Sequence, residues 1–130
     1  MEYSLVVLGD PHSTASATTA LNFARSLLKG GHDIFRVFFY HGGVQCANDL
    51  TTPAQDEARL PDEWAALKKQ HNIDLVVCIA AGIKRGVLDQ SEAERHEKTC
   101  SNLHPAFELS GLGQLVEATE RSDRIITFGA

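Results

Sequence analysis

The chain has few of the features that mark nucleic-acid-binding, membrane or secreted proteins. Acidic residues outnumber basic ones by 17 to 12, which gives a formal net charge of -5 at pH 7. An acidic surface repels phosphates, so we expect no direct contact with nucleic acid or with an anionic membrane. The first residues, MEYSLVVLGDPHS, have no basic region, and their apolar run is too short for a signal peptide or a membrane span. We therefore predict a cytoplasmic protein.

Cysteine is scarce, and its spacing fits neither a disulfide framework nor a zinc site. The three cysteines, Cys46, Cys78 and Cys100, are odd in number and form no CxxC pair. His96 and His104 flank Cys100 at helical spacing, but Pro105 and its neighbours disfavour a helix there. We predict reduced thiols and no metal or organic cofactor.

Nucleotide-binding motifs are also missing. Neither GxxxxGK[ST] nor GxGxxG after a strand occurs, and Gly111-x-Gly113 is an isolated pair. The segment GDPHSTASATT is rich in hydroxyls, as are loops that hold a flavin phosphate at a helix N-terminus. Ordinary helix capping by Ser13 or Thr14 explains the same residues, and we favour that interpretation.

Strand and helix patterns alternate along the 130 residues. Apolar, β-branched runs predict strands at 3–8, 34–40, 73–78, 107–109 and 124–128. Amphipathic patterns predict helices at 17–28, 56–70 and 112–118, a short helical piece at 44–49, and an exposed charged helix at 89–97. This order predicts a single α/β domain over residues 1–130, with a mostly parallel sheet of about five strands and helices on both faces, flavodoxin-like or similarly wound.

The most informative stretch is residues 73–86, IDLVVCIAAGIKRG. Cys78 ends its apolar run, where the carboxyl edge of a parallel sheet collects ligands and chemistry. The thiol is either a reactive group or one more small buried hydrophobe. Six residues separate Cys78 from Arg85, which excludes the cysteine-phosphatase spacing. Lys84 and Arg85 either favour a thiolate at Cys78 or are ordinary surface cations.

Three segments carry a family resemblance: HDIFRVFFYHGGVQCANDLTTPAQDE, IDLVVCIAAGIKRGVLDQSEA and SNLHPAFELSGLGQLVEATERSDRIITFG. Together they make the chain similar, along nearly its whole length, to the TusD/DsrE family of sulfur-relay proteins. The resemblance implies a DsrE-like fold and a sulfurtransferase whose persulfide forms on Cys78. It implies no role for Cys46 or Cys100.

The resemblance also implies partners. Sulfane sulfur would arrive from a donor carrier protein and leave to a cysteine of an acceptor protein. The family's assemblies combine two related small subunits with the cysteine-bearing one, two copies of each, in a heterohexamer. The sulfur would serve 2-thiolation of wobble uridine in tRNA or dissimilatory sulfur oxidation.

Two alternatives stay open on the residues alone. The first is a non-catalytic module that binds a flavin or nucleotide through the hydroxyl-rich loop. The second is a redox-sensing thiol protein in which Cys78 forms a sulfenate or a disulfide without transferring sulfur.

Overall fold

Five parallel strands form one sheet in the computed structural model, which describes residues 1–129. The strands are β1 (Glu2–Val7), β2 (Asp33–Phe39), β3 (Asp74–Cys78), β4 (Glu108–Ser110) and β5 (Arg124–Phe128). Their order in the sheet is β4-β3-β2-β1-β5, and every neighbouring pair is parallel. The predicted parallel α/β fold is confirmed.

Helices cover both faces of the sheet, as predicted. They are α1 (Ser16–Lys29), a 3₁₀ helix (His41–Ala47), α2 (Leu60–His71), α3 (Ile79–Lys84), α4 (Gln90–Arg95) and α5 (Gly113–Arg121). The ring of Trp64 on α2 contacts that of Phe39, whereas α5 accepts hydrogen bonds from Arg36. Phe39 and Arg36 are an odd number of residues apart on β2, so α2 and α5 lie on opposite faces. Within residues 1–129, no helix is both long enough and apolar enough to span a bilayer.

Three local predictions were wrong in detail. Helix α1 begins after Ala15 with no side-chain cap, because the Thr14 hydroxyl donates instead to the Asp10 carbonyl at 3.1 Å. Helix α2 begins at Leu60, not at residue 56, with a proline in its first turn. The helix predicted at 89–97 is shorter, and Ala93 on it is buried rather than exposed.

An aromatic cluster fixes the middle of the sheet against α2. The Phe39 ring lies 5.4 Å from that of Trp64 and 5.3 Å from that of Phe107, measured between centroids. All three rings are buried, and removing one such ring typically costs about 3–5 kcal/mol of stability. The cluster holds the segment before β4 close to β2, and so fixes the strand between them, β3.

Arg36 ties α5 to the other face. Its guanidinium bonds to the carboxylates of Asp74 at 2.7 Å and Glu117 at 2.8 Å, and donates to the Gln114 carbonyl at 2.8 Å. Burial opposes the charge, but the bonds and charges of Glu117 and Asp74 outweigh it and raise the pKa of Arg36. Arg36 thereby holds the first two turns of α5 against β2.

Candidate active site around Cys78

Cys78 is the last residue of β3, and α3 begins at the next residue. Its backbone is extended, with φ -60° and ψ 119°, so the chain leaves the strand directly into the helix. This puts the thiol at the carboxyl edge of the sheet, as the sequence predicts. The residue is only 2% exposed, while the neighbouring Ala80 is exposed. The thiol is thus closely covered beside an open backbone turn.

The Cys78 side chain points towards the face of the sheet that carries α5. A Cβ on Gly82 of α3 would lie 3.5 Å from Cγ1 of Val77 and 3.4 Å from Cδ2 of Leu109, so those two side chains face α3. Successive residues of a strand point to opposite faces. Cys78 and Ser110, which follow Val77 and Leu109, therefore face the other way.

Two side chains flank Cys78 on that face. Ser110 of β4 is its direct partner in the parallel register. On the other side, Phe39 pairs with Val77, so the extended Tyr40 stands beside Cys78. The Tyr40 ring stacks on His41 at 4.3 Å between centroids. The thiol lies in a row between a hydroxyl and an aromatic ring.

Backbone N–H groups and small side chains surround the turn after Cys78. The first N–H groups of α3 have no side-chain cap, and α3 opens with Ile79 followed by Ala80 and Ala81. Unsatisfied N–H groups at a helix start favour negative charge, although a helix of six residues supplies a modest effect. Small side chains at Ala80 and Ala81 let another backbone approach this turn closely.

Lys84 and Arg85 lie at the other end of α3. Arg85 ends the helix, donates from Nη1 to the Ala81 carbonyl at 3.3 Å, and accepts at its own carbonyl from Gln45. At 1.5 Å per residue, the helix separates these cations from Cys78 by about 9 Å. This distance is close to the Debye length of about 8 Å at physiological salt. Their electrostatic support for Cys78 stays a prediction.

The other two cysteines have different surroundings. Cys46 is fully buried in the 3₁₀ helix. Burial, and to a lesser degree the negative charge of Asp10, raises the pKa of its thiol to about 12. Cys100 is exposed in the segment after α4. Cys46 is therefore a neutral thiol at pH 7, and Cys100 lies in open solvent.

His96, Cys100 and His104 do not lie on one helix, so they do not form the metal site that their spacing would allow. Helix α4 ends before His96, and His104 instead contacts Asp62 at 3.2 Å. One carboxylate oxygen each from Asp49 and Asp62 and one ring nitrogen of His104 lie within 4.8 Å of one another. Arg59 pairs with both carboxylates, and the Nδ1 of His104 accepts from the Ala106 N–H at 3.1 Å, which leaves the proton on Nε2. These contacts occupy the groups that a metal would need.

A cavity of about 460 Å³ lies between α1 and the segment before α2, and includes residues of the hydroxyl-rich loop. Its two arginines already have partners: Arg25 pairs with Glu63, and Arg59 pairs with Asp49 and Asp62. Within the described residues, the lining therefore offers no arginine free for a phosphate. The cavity gives little support to a flavin or nucleotide site.

Sequence reasoning missed both neighbours of Cys78. Tyr40 and Ser110 are 38 residues before and 32 residues after it. A signal was present, because Tyr40 ends a predicted strand, Ser110 directly follows another, and carboxyl ends of parallel strands meet at one edge. The order of the strands was needed to identify them as neighbours.

Comparison with known proteins identifies the family. The sequence profile of the DsrE/DsrF-like family matches residues 1–128. The chain is 46% identical over 129 residues, 99% of each chain, to a protein of Allochromatium vinosum named as a candidate sulfurtransferase, DsrE. It is also 46% identical over 128 residues to the sulfurtransferase TusD of Salmonella enteritidis, covering 98% of this chain and all of the relative.

A solved structure has the same fold. The ychN protein from E. coli superposes with a TM-score of 0.75 at 19% identity, over 98% of this chain and all of that one. At this identity the similarity supports the fold alone. By the profile and the full-length relatives, the chain belongs to the DsrE/DsrF-like family.

Proposed function

We propose that this protein is a sulfurtransferase that carries sulfane sulfur as a persulfide on Cys78 and passes it to a cysteine of an acceptor protein. The reaction class rests on 46% identity to relatives named as sulfurtransferases. The observation that carries the assignment to Cys78 is its position at the carboxyl edge of the sheet, at the start of α3. Of the other two thiols, Cys46 is fully buried with a pKa of about 12, and Cys100 lies outside the sheet edge.

The transfer consists of two thiol exchanges. The Cys78 thiolate attacks the outer sulfur of a donor persulfide, forms a new S–S bond and releases the donor thiolate. The acceptor thiolate then attacks that same outer sulfur, and Cys78 leaves as a thiolate. No electrons are gained or lost overall, so neither step requires a metal or organic cofactor.

The close cover over Cys78 suits such a carrier. With 2% exposure, the thiol is shielded from peroxide and thus from oxidation to the sulfenic and sulfinic acids. The exposed Ala80 beside it leaves the backbone turn open to a partner. A donor protein that docks there has only to displace the local cover.

We place the protein in the cytoplasm, in an assembly with two related small subunits, a donor carrier and an acceptor protein. The free state of all three cysteines suits a reducing compartment. The DsrE and TusD relatives match equally well, so both wobble-uridine thiolation and dissimilatory sulfur oxidation stay within the proposal.

The first test is sulfur loading of three variants. Purified wild type, Cys78→Ser and Cys100→Ser are incubated with a persulfide donor and weighed by intact-protein mass spectrometry. Wild type and Cys100→Ser should gain the mass of one sulfur atom, and Cys78→Ser should gain none. Circular dichroism should be the same for all three proteins.

Two outcomes contradict the proposal. If the wild type gains no sulfur, the protein is not a sulfur carrier. If Cys78→Ser still gains sulfur, another residue carries it. A redox sensor would instead form a sulfenate or disulfide under peroxide and pass no sulfur on. Flavin binding would appear as thermal stabilisation by flavin mononucleotide, which the carrier proposal does not expect.

A further inference from the structure

We propose that the solvent-facing side of residues 79–85, the α3 surface, docks the sulfur donor and fits a donor segment that carries acidic residues near its persulfide cysteine. The inference rests on the proposed sulfur transfer at Cys78, and it adds the chemistry of one partner. Ile79, the first residue of α3, directly follows Cys78. A partner on this surface therefore lies beside the reacting thiol.

The α3 surface is a short apolar strip that ends in cations. The opposite side of the helix packs inward, where Ala81 and Gly82 are buried. The solvent-facing residues, each partly or fully exposed, are Ile79, Ala80, Ile83, Lys84 and Arg85. The two isoleucines are one helical turn apart and so lie side by side on the helix. An apolar centre with a charged rim is typical of a contact between proteins.

The positive charge at the end of α3 is available to a partner. Lys84 and Arg85 make no ion pair within residues 1–129, although the formal net charge of the chain is -5. The Arg85 guanidinium donates instead to the neutral Ala81 carbonyl, at 3.3 Å. Asp89, the acidic residue nearest to these cations in sequence, accepts from the Glu92 N–H at 2.8 Å as the cap of α4.

The elements packed against α3 do not neutralise these cations. The 3₁₀ helix contacts the end of α3 through Gln45, whose amide donates to the Arg85 carbonyl at 3.3 Å, and it contains no acidic residue. Glu108 of β4 precedes Leu109, which faces α3, so Glu108 points to the other face of the sheet. Charge complementarity therefore favours a partner segment that carries carboxylates.

The covered position of Cys78 favours the donor as the occupant. The residue is 2% exposed, and during loading the outer sulfur of the donor must reach the Cys78 sulfur itself. Once loaded, the transferred sulfur extends about 2 Å further out, the length of an S–S bond. The acceptor attacks that outer sulfur and needs a less close approach. Docking energy is therefore needed most in the loading step.

The length of α3 indicates where the acidic residue of the donor lies. Lys84 and Arg85 are about 9 Å from Cys78 along the helix. An extended segment rises about 3.3 Å per residue, so a residue three positions from the donor cysteine lies about 10 Å from it. The matching donor segment carries Asp or Glu about three residues from its persulfide cysteine.

The test uses persulfidated synthetic peptides that differ in one residue, a glutamate, a serine or a lysine about three positions from the cysteine. All proteins carry Cys100→Ser, which removes the exposed thiol. In this background, Lys84→Glu is compared with Lys84→Arg, which keeps the charge, and with Lys69→Glu. Lys69 is a matched control, because it is an exposed lysine near the end of α2.

Loading rates at low and high salt are followed by mass spectrometry. For each protein, the rate with the glutamate peptide is divided by the rate with the lysine peptide. Comparing this ratio between variants removes any change in the intrinsic reactivity of Cys78, which affects both peptides equally.

The parent protein should load from the glutamate peptide about fivefold faster than from the lysine peptide at low salt, and high salt should remove most of this preference. Lys84→Glu should lose the preference, whereas Lys84→Arg and Lys69→Glu should keep it. A parent protein without the preference, or an equal preference in Lys84→Glu, would overturn the inference.

Two further measurements separate the donor from the acceptor and the inference from the proposed function. Discharge of loaded protein to the same peptides as thiols follows the acceptor step, and a larger charge preference there would overturn the assignment to the donor. A protein that never loads would remove the proposed function instead. In that case, the rates at which Cys78 forms mixed disulfides with the same peptides, supplied as activated disulfides, still decide whether the α3 surface selects acidic segments.

Discussion

Cys46 and Cys78 lie near the same edge of the sheet, but their surroundings give them different chemistry. Full burial and the charge of Asp10 raise the pKa of Cys46 from an ordinary 9.0 to about 12. The unfolded chain therefore loses this proton first as the pH rises. The stabilising contribution of the neutral Cys46 thiol is complete below pH 9 and is lost between pH 9 and pH 12.

We predict that the free energy of unfolding falls less steeply above pH 9 in Cys46→Ala than in wild type. The difference in slope should approach about 1.4 kcal/mol per pH unit, the value for one proton. Urea titrations at pH 8 and at intervals above it measure the slope. Subtracting the unfolding free energies of the two proteins at each pH removes the contributions of the other titrating groups, which both proteins share. Parallel pH profiles for the two proteins would contradict the burial argument.

At the scale of elements, Arg36 connects α5 to the sheet. Its side chain is 7% exposed and its two carboxylate partners are partly exposed. Arg121 is a matched control, because its guanidinium also lies over the Phe35 ring, at 4.4 Å against 4.6 Å for Arg36. The pair that Arg121 makes with Glu2 is on the surface.

We predict that Arg36→Leu costs about 2 kcal/mol of unfolding free energy, because it removes the charge-assisted hydrogen bonds from the buried guanidinium to β3 and α5. Arg121→Leu should cost about 1 kcal/mol or less, as surface pairs do. Chemical denaturation gives both values, and hydrogen exchange should show α5 opening more often in Arg36→Leu. Similar losses in the two variants would mean that the buried network does not hold α5.

The elements differ in how far the sequence predicts them. Strands β3 and β5 follow from continuous apolar runs, and the position of Cys78 at a strand end follows from the same pattern. The sequence does not decide whether helix α3 forms, because its six residues include a glycine and have no capping side chain. Ser110 could not be placed beside Cys78, since their register depends on the pairing of β3 with β4 across 29 intervening residues.

At the scale of the whole molecule, the two faces of the sheet are covered unequally. Helix α2 and the helix paired with it through Arg25 and Glu63, α1, cover one face, and α5 covers the other. Leu112 and Val116, one helical turn apart, are 48% and 56% exposed. An exposed apolar pair on a helix next to the candidate site is a reasonable contact for the proposed related subunits.

We predict that Val116→Glu weakens co-purification with the two related small subunits by about tenfold or more, because it places a charge in an apolar contact. Leu50→Glu is the control, since Leu50 is an apolar residue in the loop after the 3₁₀ helix that is also largely exposed, at 66%. Size-exclusion chromatography of co-expressed proteins measures the effect. Unchanged assembly of Val116→Glu would exclude this face of α5 as the contact.

The central claim is that Cys78 carries sulfur as an intermediate, and a pulse-chase experiment tests it most directly. The protein is loaded with isotopically labelled sulfane sulfur, freed of donor, mixed with the acceptor protein and sampled over time by peptide mass spectrometry. We predict that the label leaves the peptide containing Cys78 at the same rate as it appears on an acceptor cysteine. Label that never occupies that peptide, or that stays there while the acceptor is sulfurated, would contradict the account.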